Sequence, residues 1–179
     1  MKNWHFERVI PARILELVSI SIETFTASFY HLNDPTYFNQ YLAKAFSHDT
    51  LLAELASNSS VFYFLITDDQ VIGYYKLNIG LDPNYGVNPS HAELQRIYLR
   101  TSHQGHGYGK IMVQHATDLM TVAQIKTIWL GVWEHNPAAI RFYLSLGFEK
   151  ISEHIFWMGD DKQTDWIMHK KLYSVELLS

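Results

Sequence analysis

A glycine-rich stretch near the middle of the chain has the residue types and spacing of a phosphate-binding turn. It reads Gln104-Gly105-His106-Gly107-Tyr108-Gly109-Lys110. Glycines at alternate positions let the backbone adopt positive φ angles and approach a ligand closely, so several N–H groups can converge on one anion. A helix that starts here would add the partial positive charge of its N-terminus. The stretch therefore predicts a site for a phosphate-bearing ligand.

The segments beside this stretch predict a strand before it and a helix after it. Residues 94–99 are mostly apolar, and residues 111–123 carry apolar side chains at the helical period. A dinucleotide-binding loop would need glycine in place of Lys110, and a Walker A loop would need Ser or Thr in place of Ile111. The remaining alternative is a turn that binds no ligand, so the wider sequence has to decide.

The stretch resembles the coenzyme A signature of the Gcn5-related N-acetyltransferases: Gln or Arg, two residues, Gly, one residue, then Gly or Ala. Gln104, Gly107 and Gly109 match that signature. The second half of the chain is also similar to this family. It has an apolar strand over residues 128–132, then Asn136, then a helix that carries Phe142-Tyr143 and ends at Leu146-Gly147-Phe148.

A narrower resemblance, to the PaiA-type bacterial spermidine/spermine acetyltransferases, extends over nearly the whole chain. It rests on residues 21–25, 129–134, 158–161 and 163–165. The resemblance implies an α/β domain with a mixed, mostly antiparallel sheet of about seven strands and helices on both faces. It also implies acetyl-CoA as the donor, a small-molecule amine such as a polyamine as the acceptor, and direct attack within a ternary complex.

The resemblance further implies how the donor binds. Backbone groups of Ile97, Tyr98 and Leu99 would contact the pantetheine arm, and the amides of the glycine-rich stretch would hold the pyrophosphate. Lys110 either adds a positive charge near the phosphates or is simply solvated. Asn136 caps its helix, contacts the pantetheine, or does both.

Acetyl transfer to an amine needs a proton donor for the departing thiolate. Tyr143 lies where enzymes of this family often carry a tyrosine that protonates the coenzyme A sulfur. The alternative is a tyrosine that packs with Phe142 on an apolar helix face.

The amine must also lose a proton, and Glu93 is the candidate base, directly or through water. Two-residue alternation along the strand predicts that Glu93 shares a face with Gln95, Ile97 and Leu99. Gln95 cannot accept a proton, so the role of base falls to Glu93 or to Glu134. A polyamine would also need acidic or aromatic contacts, for which Glu23, Tyr30, Tyr75 and Glu134 are candidates, although such aromatic residues are more often in the core.

Two other functions remain open at this stage. The same fold and donor could serve acetylation of a protein N-terminus, a lysine or a drug amine. A non-catalytic acetyl-CoA-binding sensor would keep the loop and lack turnover. The presence of Tyr143 and Glu93 favours an enzyme.

Length and composition narrow the class of protein. The 179 residues, 47% of them hydrophobic and only five of them proline, predict a single globular domain over residues 1–179. The absence of cysteine excludes disulfides and thiolate metal sites. His103 and His106 lack a third ligand nearby, so no metal is predicted.

Charge and hydropathy predict the partners and the compartment. A net charge of −4 leaves no basic footprint for nucleic acid. Charged residues interrupt the first 25 residues and no apolar run is long enough to span a membrane, so a cytoplasmic protein with no membrane partner is expected. An exposed edge strand near the C-terminus would suit a homodimer.

Periodicity predicts a first helix from about Pro11 to Tyr30. Two more helices are predicted behind residues 33–35 and 47–49, where short polar side chains can cap free backbone N–H groups. These helices are expected to precede every strand. The predicted strands span residues 61–67, 71–78, 91–99, 127–133, 148–157 and 164–172. A loop containing Pro83, Gly86 and Pro89 is expected between the second and third of them.

Overall fold

The structure is a computed structural model that describes residues 3–84 and 86–173. Its strands are β1 (Trp4–Arg8), β2 (Ser60–Thr67), β3 (Gln70–Asp82), β4 (Gly86–Leu99), β5 (Thr127–Trp133), β6 (Glu149–Met158) and β7 (Asp161–Lys171). They form one sheet of seven strands in the order β1-β2-β3-β4-β5-β7-β6. Neighbouring strands are antiparallel except β4 and β5. The predicted mixed, mostly antiparallel sheet is confirmed.

Helices cover both faces of this sheet, as predicted. They are α1 (Ile14–Phe29), α2 (Pro35–Ala45), α3 (His48–Ala56), α4 (Tyr108–Val122) and α5 (Pro137–Ser145). The first three bury side chains such as Phe25 and Phe38 in one core, whereas α4 and α5 bury Met112 and Ile140 in the core on the other face. Among the described residues, no helix has the length and apolar character needed to cross a membrane.

The helix starts follow the predicted caps. The Asp34 side chain accepts hydrogen bonds from the backbone N–H groups of Thr36 and Tyr37 before α2, and Ser47 accepts one from Thr50 before α3. The first backbone N–H groups of a helix have no acceptor within the helix, and these side chains supply one.

Two expectations about the strands were wrong. Strand β1 precedes all the helices, because its short, mixed-polarity segment gains its strand hydrogen bonds from pairing with β2 rather than from its own pattern. The loop expected around Pro83, Gly86 and Pro89 is mostly strand, since β4 already begins at Gly86. The pairing of β3 with β4 is irregular between Ile79 and Leu81, and such an irregularity tolerates a proline that has no N–H to donate.

The two parallel strands create an opening in the sheet. Strands β4 and β5 pair only from His91 with Thr127 to Glu93 with Trp129. Beyond this point β4 continues to Leu99 and β5 to Trp133 without pairing to each other. The sheet is therefore split at the carboxyl ends of its parallel strands, where open α/β sheets usually bind ligands.

Candidate active site

A cleft of about 410 Å³ occupies the gap between β4 and β5. One wall is β4 from Glu93 to Leu99, and the other is β5 from Gly131 to Trp133 together with α5. Beyond Glu93, the backbone N–H and C=O groups of β4 that point towards β5 have no strand partner on that side. A ligand with amide groups can pair with this backbone, because unpaired buried backbone groups need hydrogen-bonding partners.

The glycine-rich stretch lies at the end of β4 and has the predicted positive φ angles. Gly105 has a φ of 75° and Gly107 a φ of 84°. A Cβ atom at either position would meet nothing within 4 Å, so the backbone conformation, not the available space, favours glycine. The first helical hydrogen bond of α4 runs from Ile111 N to Gly107 O at 3.2 Å.

The N–H groups of Tyr108, Gly109 and Lys110 precede that first bond and have no acceptor within the helix. Such a cluster at a helix N-terminus suits the pyrophosphate of coenzyme A. The side chain of Lys110 is exposed. Tyr108 is 7% exposed and belongs to the core, so only its backbone is available to a ligand in the loop.

The other members of the stretch support its shape. Gln104 Nε2 donates to Leu99 O at 3.2 Å and ties the loop to the end of β4. His106 Nδ1 lies 2.8 Å from Gln104 O, and the ring is exposed. Gly109 serves packing instead, because a Cβ there would lie 3.3 Å from Phe142 Cζ on α5.

The residues predicted to meet the pantetheine arm all line the cleft. Ile97, Tyr98 and Leu99 are half-buried on its β4 wall. Asn136 lines the cleft from the start of α5, and its side chain accepts a hydrogen bond from Ala139 N at 3.1 Å. The predicted capping by Asn136 is confirmed.

Tyr143 has features of both interpretations that the sequence left open. Its ring packs against Phe142 and Phe148, with centroid distances of 5.2 and 5.7 Å. The side chain is 9% exposed and also lines the cleft. Burial raises the pKa of Tyr143, so the hydroxyl keeps its proton at neutral pH and can donate it.

A β-bulge at Gln95 reverses one prediction about Glu93. In the pairing of β3 with β4, Lys76 is opposite Arg96 but Leu77 is opposite Leu94, so Gln95 has no partner. The extra residue shifts the alternation of side chains between the two faces. The predicted common face of Glu93, Ile97 and Leu99 is therefore wrong.

The observed contacts show which face each side chain occupies. Ile97 and Leu99 pack towards the core of α4 and α5. Glu93 is opposite Asn78, and directly opposed residues of antiparallel strands share a face. Along β3, Lys76 lies on that same face, with its Nζ 5.4 Å from the ring centroid of Phe62 in the core of α1 to α3. Glu93 thus faces the α1 side of the split sheet.

The surroundings of Glu93 suit a base. Asn78 Nδ2 donates to Glu93 Oε2 at 2.7 Å and orients the carboxylate. Burial raises the pKa of Glu93, and this effect is larger than the opposite effects of Asn78, Lys76, His154 and Arg96. A carboxylate with a raised pKa is a stronger proton acceptor than an ordinary surface glutamate.

A buried ion network lies beside Glu93. Glu54 accepts hydrogen bonds from Arg96 Nη1 at 2.7 Å and Nη2 at 3.2 Å, and its Oε2 is 3.1 Å from Lys76 Nζ. The Arg96 guanidinium also lies 5.0 Å from the ring centroid of Phe46. Arg96 lines the cleft with its charge already paired, which reduces its repulsion of a cationic ligand.

Sequence reasoning missed the side chains on the far side of the cleft. Asp165 on β7 and His154 on β6 line it and are opposite each other in the strand register. An aromatic wall comes from α1, α2, β6 and the residue after α2, and consists of Phe25, Phe29, Tyr41, Phe46 and Phe156. Asp165 lay within residues 163–165 of the resemblance, but nothing in the sequence assigned it a role.

The polyamine contacts suggested by the sequence lie elsewhere. Glu23, Tyr30, Tyr75 and Glu134 are not among the residues that line the cleft. Glu23 Oε1 lies 3.0 Å from Arg100 Nε, and Tyr75 is buried in the core of α4 and α5. Of the two candidate bases, Glu93 is the one at the cleft. Within residues 3–84 and 86–173, no three His, Asp or Glu side chains are grouped as metal ligands.

Known proteins share both the sequence pattern and the fold. The sequence model of the acetyltransferase (GNAT) family matches residues 26–148 of this chain. An uncharacterized N-acetyltransferase from the pepI 3' region of Lactobacillus delbrueckii subsp. lactis is 42% identical over 157 residues, covering 88% of this chain and 91% of that protein. The ribosomal-protein-alanine N-acetyltransferase of Escherichia coli is 26% identical over 125 residues, covering 68% of this chain and 72% of that protein.

A solved structure with the same fold contains the expected ligand. The PaiA N-acetyltransferase of Thermoplasma acidophilum, in complex with coenzyme A, matches with a TM-score of 0.77. The match covers 94% of this chain and 99% of that chain at 21% identity, so it is evidence for the fold alone.

Proposed function

Since the chain belongs to the acetyltransferase (GNAT) family, we propose that it acetylates a primary amine of a small molecule, with spermidine or spermine as the leading acceptor. Membership of this family makes the protein an N-acetyltransferase with acetyl-CoA as its donor. The acceptor and the roles of individual residues are our proposal. The observation that carries it is the acidic and aromatic cleft where β4 and β5 separate.

The donor half of the site acts through its backbone. The N–H groups at the start of α4 and in the glycine-rich stretch, from Gln104 to Lys110, hold the pyrophosphate. The unpaired edge of β4 at Ile97, Tyr98 and Leu99 aligns the pantetheine arm, with Asn136 at the opposite wall. Acetyl-CoA, when bound, supplies the thioester whose acetyl group is transferred. Holding both reactants in one cleft lowers the entropic cost of the reaction.

Two side chains carry out the proton transfers. Glu93 accepts a proton from the attacking amine, directly or through water, as the new C–N bond forms. Tyr143 donates its hydroxyl proton to the sulfur as the C–S bond breaks. The chain has no cysteine to carry an acetyl group, which agrees with direct attack in a ternary complex.

The side chains that line the cleft suit a polyamine as the acceptor. Glu93 and Asp165 provide two carboxylates, and Arg96 is paired with Glu54. The aromatic wall offers apolar surface to methylene groups and π faces to cationic nitrogens. A long aliphatic amine can use both kinds of contact at once.

Acetylation of a protein N-terminus is the second candidate. It is favoured by the similarity to the ribosomal-protein-alanine N-acetyltransferase of Escherichia coli, which acts on an alanine of a ribosomal protein. The acceptor would then be a flexible N-terminal peptide. A lysine or a drug amine would use the same donor site.

The test is release of coenzyme A thiol from acetyl-CoA with spermidine, spermine, an alanine-terminated peptide and an aminoglycoside, over a range of pH. A kcat/KM for spermidine or spermine at least about tenfold above the others supports the proposal. A higher kcat/KM for the peptide than for the polyamines would instead support acetylation of a protein N-terminus. Coenzyme A binding without turnover on any of the four amines contradicts the proposed acceptors.

A further inference from the structure

We propose that Asp165 determines acceptor specificity by binding a second, protonated amino group of the acceptor while Glu93 serves the amine that reacts. The inference rests on the proposed function and adds the residue that distinguishes a diamine or polyamine from a monoamine. It arises from the position of Asp165 in the cleft, from the open space in front of it, and from the absence, among the described residues, of a hydrogen-bond or ion-pair partner for its carboxylate.

The strand register places the two carboxylates on opposite sides of the cleft. Glu93 lies beside Trp129 of β5, and Asp165 lies beside Trp133 of the same strand. Four residues of a strand span about 13 Å. The Asp165 carboxylate leans back along β5, because its Oδ2 would lie 3.5 Å from a Cβ built on Gly131. The two carboxylates are therefore separated by a distance that an aliphatic chain of several carbons can bridge.

Asp165 has no protein partner that would explain a half-buried carboxylate. Its backbone pairs within the sheet, but in the described part of the chain no group forms a hydrogen bond or ion pair with its carboxylate. Glu93, by contrast, accepts a hydrogen bond from Asn78. Glu54 forms ion pairs with Lys76 and Arg96. A carboxylate partly removed from water without a partner is unfavourable, and a cationic ligand would relieve this cost.

The electrostatic surroundings of Asp165 also favour a cation. Burial raises the pKa of Asp165, His154 opposes this rise, and the nearby Glu134 adds to it. The carboxylates of Glu134 and of Asp165 itself both attract a positive charge. Arg96 and Lys76 interact with Glu93 and are held by Glu54, so they do not neutralise this side of the cleft.

Gly131 keeps the space in front of Asp165 open. A Cβ at this position would lie 3.4 Å from His154 Cε1 and 3.5 Å from Asp165 Oδ2. These are tight but ordinary contacts, and the φ of Gly131 is not positive, so alanine fits without backbone strain. Gly131→Ala therefore places a methyl group where an amine would approach Asp165, without changing any charge.

The experiment compares kcat and KM for spermidine and for butylamine, a monoamine, in the wild-type enzyme, Asp165→Asn and Gly131→Ala. We expect both substitutions to raise the KM for spermidine roughly tenfold, because Asp165→Asn removes one charged contact and Gly131→Ala blocks it. The kcat for spermidine and the KM values for butylamine and acetyl-CoA should change less than about threefold. A merely structural role of Asp165 would alter the kinetics of both amines alike.

Glu153→Gln is the matched control. Glu153 is the residue before His154 on β6, it pairs with Lys150, and it does not line the cleft. Its substitution removes a nearby carboxylate, so general electrostatic attraction would appear as a raised KM for spermidine here too. We expect no such change.

A binding measurement separates this inference from the proposed function. Calorimetry with coenzyme A-loaded protein records spermidine binding even if spermidine is not acetylated. Binding that weakens roughly tenfold in Asp165→Asn supports the subsite even if the reacting amine belongs to another acceptor. Equal affinity of wild type and Asp165→Asn, or no spermidine binding by the wild type, overturns it.

Discussion

The two halves of the cleft are built from different parts of the chain. The half to which we assign the donor, the donor half, offers mostly backbone: the edge of β4, the turn with Gly105 and Gly107, and the first N–H groups of α4. The acceptor half uses side chains from α1, α2, β4, β6 and β7. In this assignment, backbone groups bind the pyrophosphate and the pantetheine arm, which do not vary from one acyl-CoA to another. Side chains, by contrast, can differ between enzymes that use the same donor. The contrast explains how one fold can keep its donor and change its acceptor.

Tyr143 is the strongest test of this contrast, because it is the donor-side residue whose side chain is assigned a chemical role. We expect Tyr143→Phe to lower kcat by about 10²- to 10³-fold, the usual contribution of a general acid. The KM for acetyl-CoA should change little, since the ring and its packing against Phe142 and Phe148 remain. Steady-state kinetics with the preferred amine measures both constants.

Tyr63→Phe is a control for loss of a tyrosine hydroxyl. Tyr63 stacks on Tyr75, with ring centroids 5.5 Å apart, and does not line the cleft. It should retain wild-type kcat. Wild-type turnover in Tyr143→Phe would remove the assignment of Tyr143 as the acid and leave packing as its role.

On the acceptor side, Glu93→Gln should lower kcat/KM by about 10²-fold near neutral pH. The ratio of wild-type to variant kcat/KM should fall as the pH is lowered through the raised pKa of Glu93, because the carboxylate becomes protonated. The fraction of neutral amine cancels in this ratio. A ratio that stays constant with pH would show that Glu93 is not the base.

A smaller effect is expected from backbone strain in the donor half. Gly107 and Gly86 have φ values of 84° and 79°, and a Cβ at either would meet nothing within 4 Å. Alanine at either position should cost about 1–2 kcal/mol of stability. Only Gly107→Ala should also weaken coenzyme A binding, by about tenfold, because it moves N–H groups of the anion site.

Thermal denaturation and calorimetry with coenzyme A test this pair of variants. Equal losses of stability with unequal losses of affinity would locate the anion site in the loop. Unchanged affinity in both variants would contradict a backbone-built donor site.

This contrast also explains what the sequence could predict. The donor half depends on neighbours in the chain, so its glycine spacing, the cap at Asn136 and the helix after the loop could be recognised without a structure. The seven-strand fold followed from periodicity and the resemblance together. Strand β1 was missed because pairing with β2, rather than its own pattern, defines it.

The acceptor half depends on residues that are distant in sequence. Asp165 and Glu93 come to one cleft only through the strand order, in which β5 lies between β4 and β7. The face of Glu93 was mispredicted because the bulge at Gln95 interrupts the two-residue period, and nothing in the sequence marks such a bulge. Aromatic residues of the wall could not be distinguished from core residues by type alone.

The smallest expected effect concerns the stability that Glu93 costs the folded protein. Its pKa is raised by burial, so the folded state holds this proton at pH values where the unfolded chain has released it. The contribution of Glu93 to stability therefore falls as the pH rises from the ordinary glutamate pKa, about 4.3, through the raised value. Glu93→Gln removes this cost and keeps an oxygen that accepts the hydrogen bond from Asn78 Nδ2.

We therefore expect Glu93→Gln to have a higher Tm than wild type at pH 7, by a few degrees at most. The difference should shrink towards pH 4 and vanish below it, where Glu93 is protonated in both states. Glu153→Gln, at an exposed position, should show little difference at either pH. A lower Tm for Glu93→Gln at pH 7 would mean that attraction to Lys76 and Arg96 outweighs burial, and Glu93 would then be a structural partner of the ion network. A higher Tm together with the lost activity would show that the acceptor half gives up stability to hold its base.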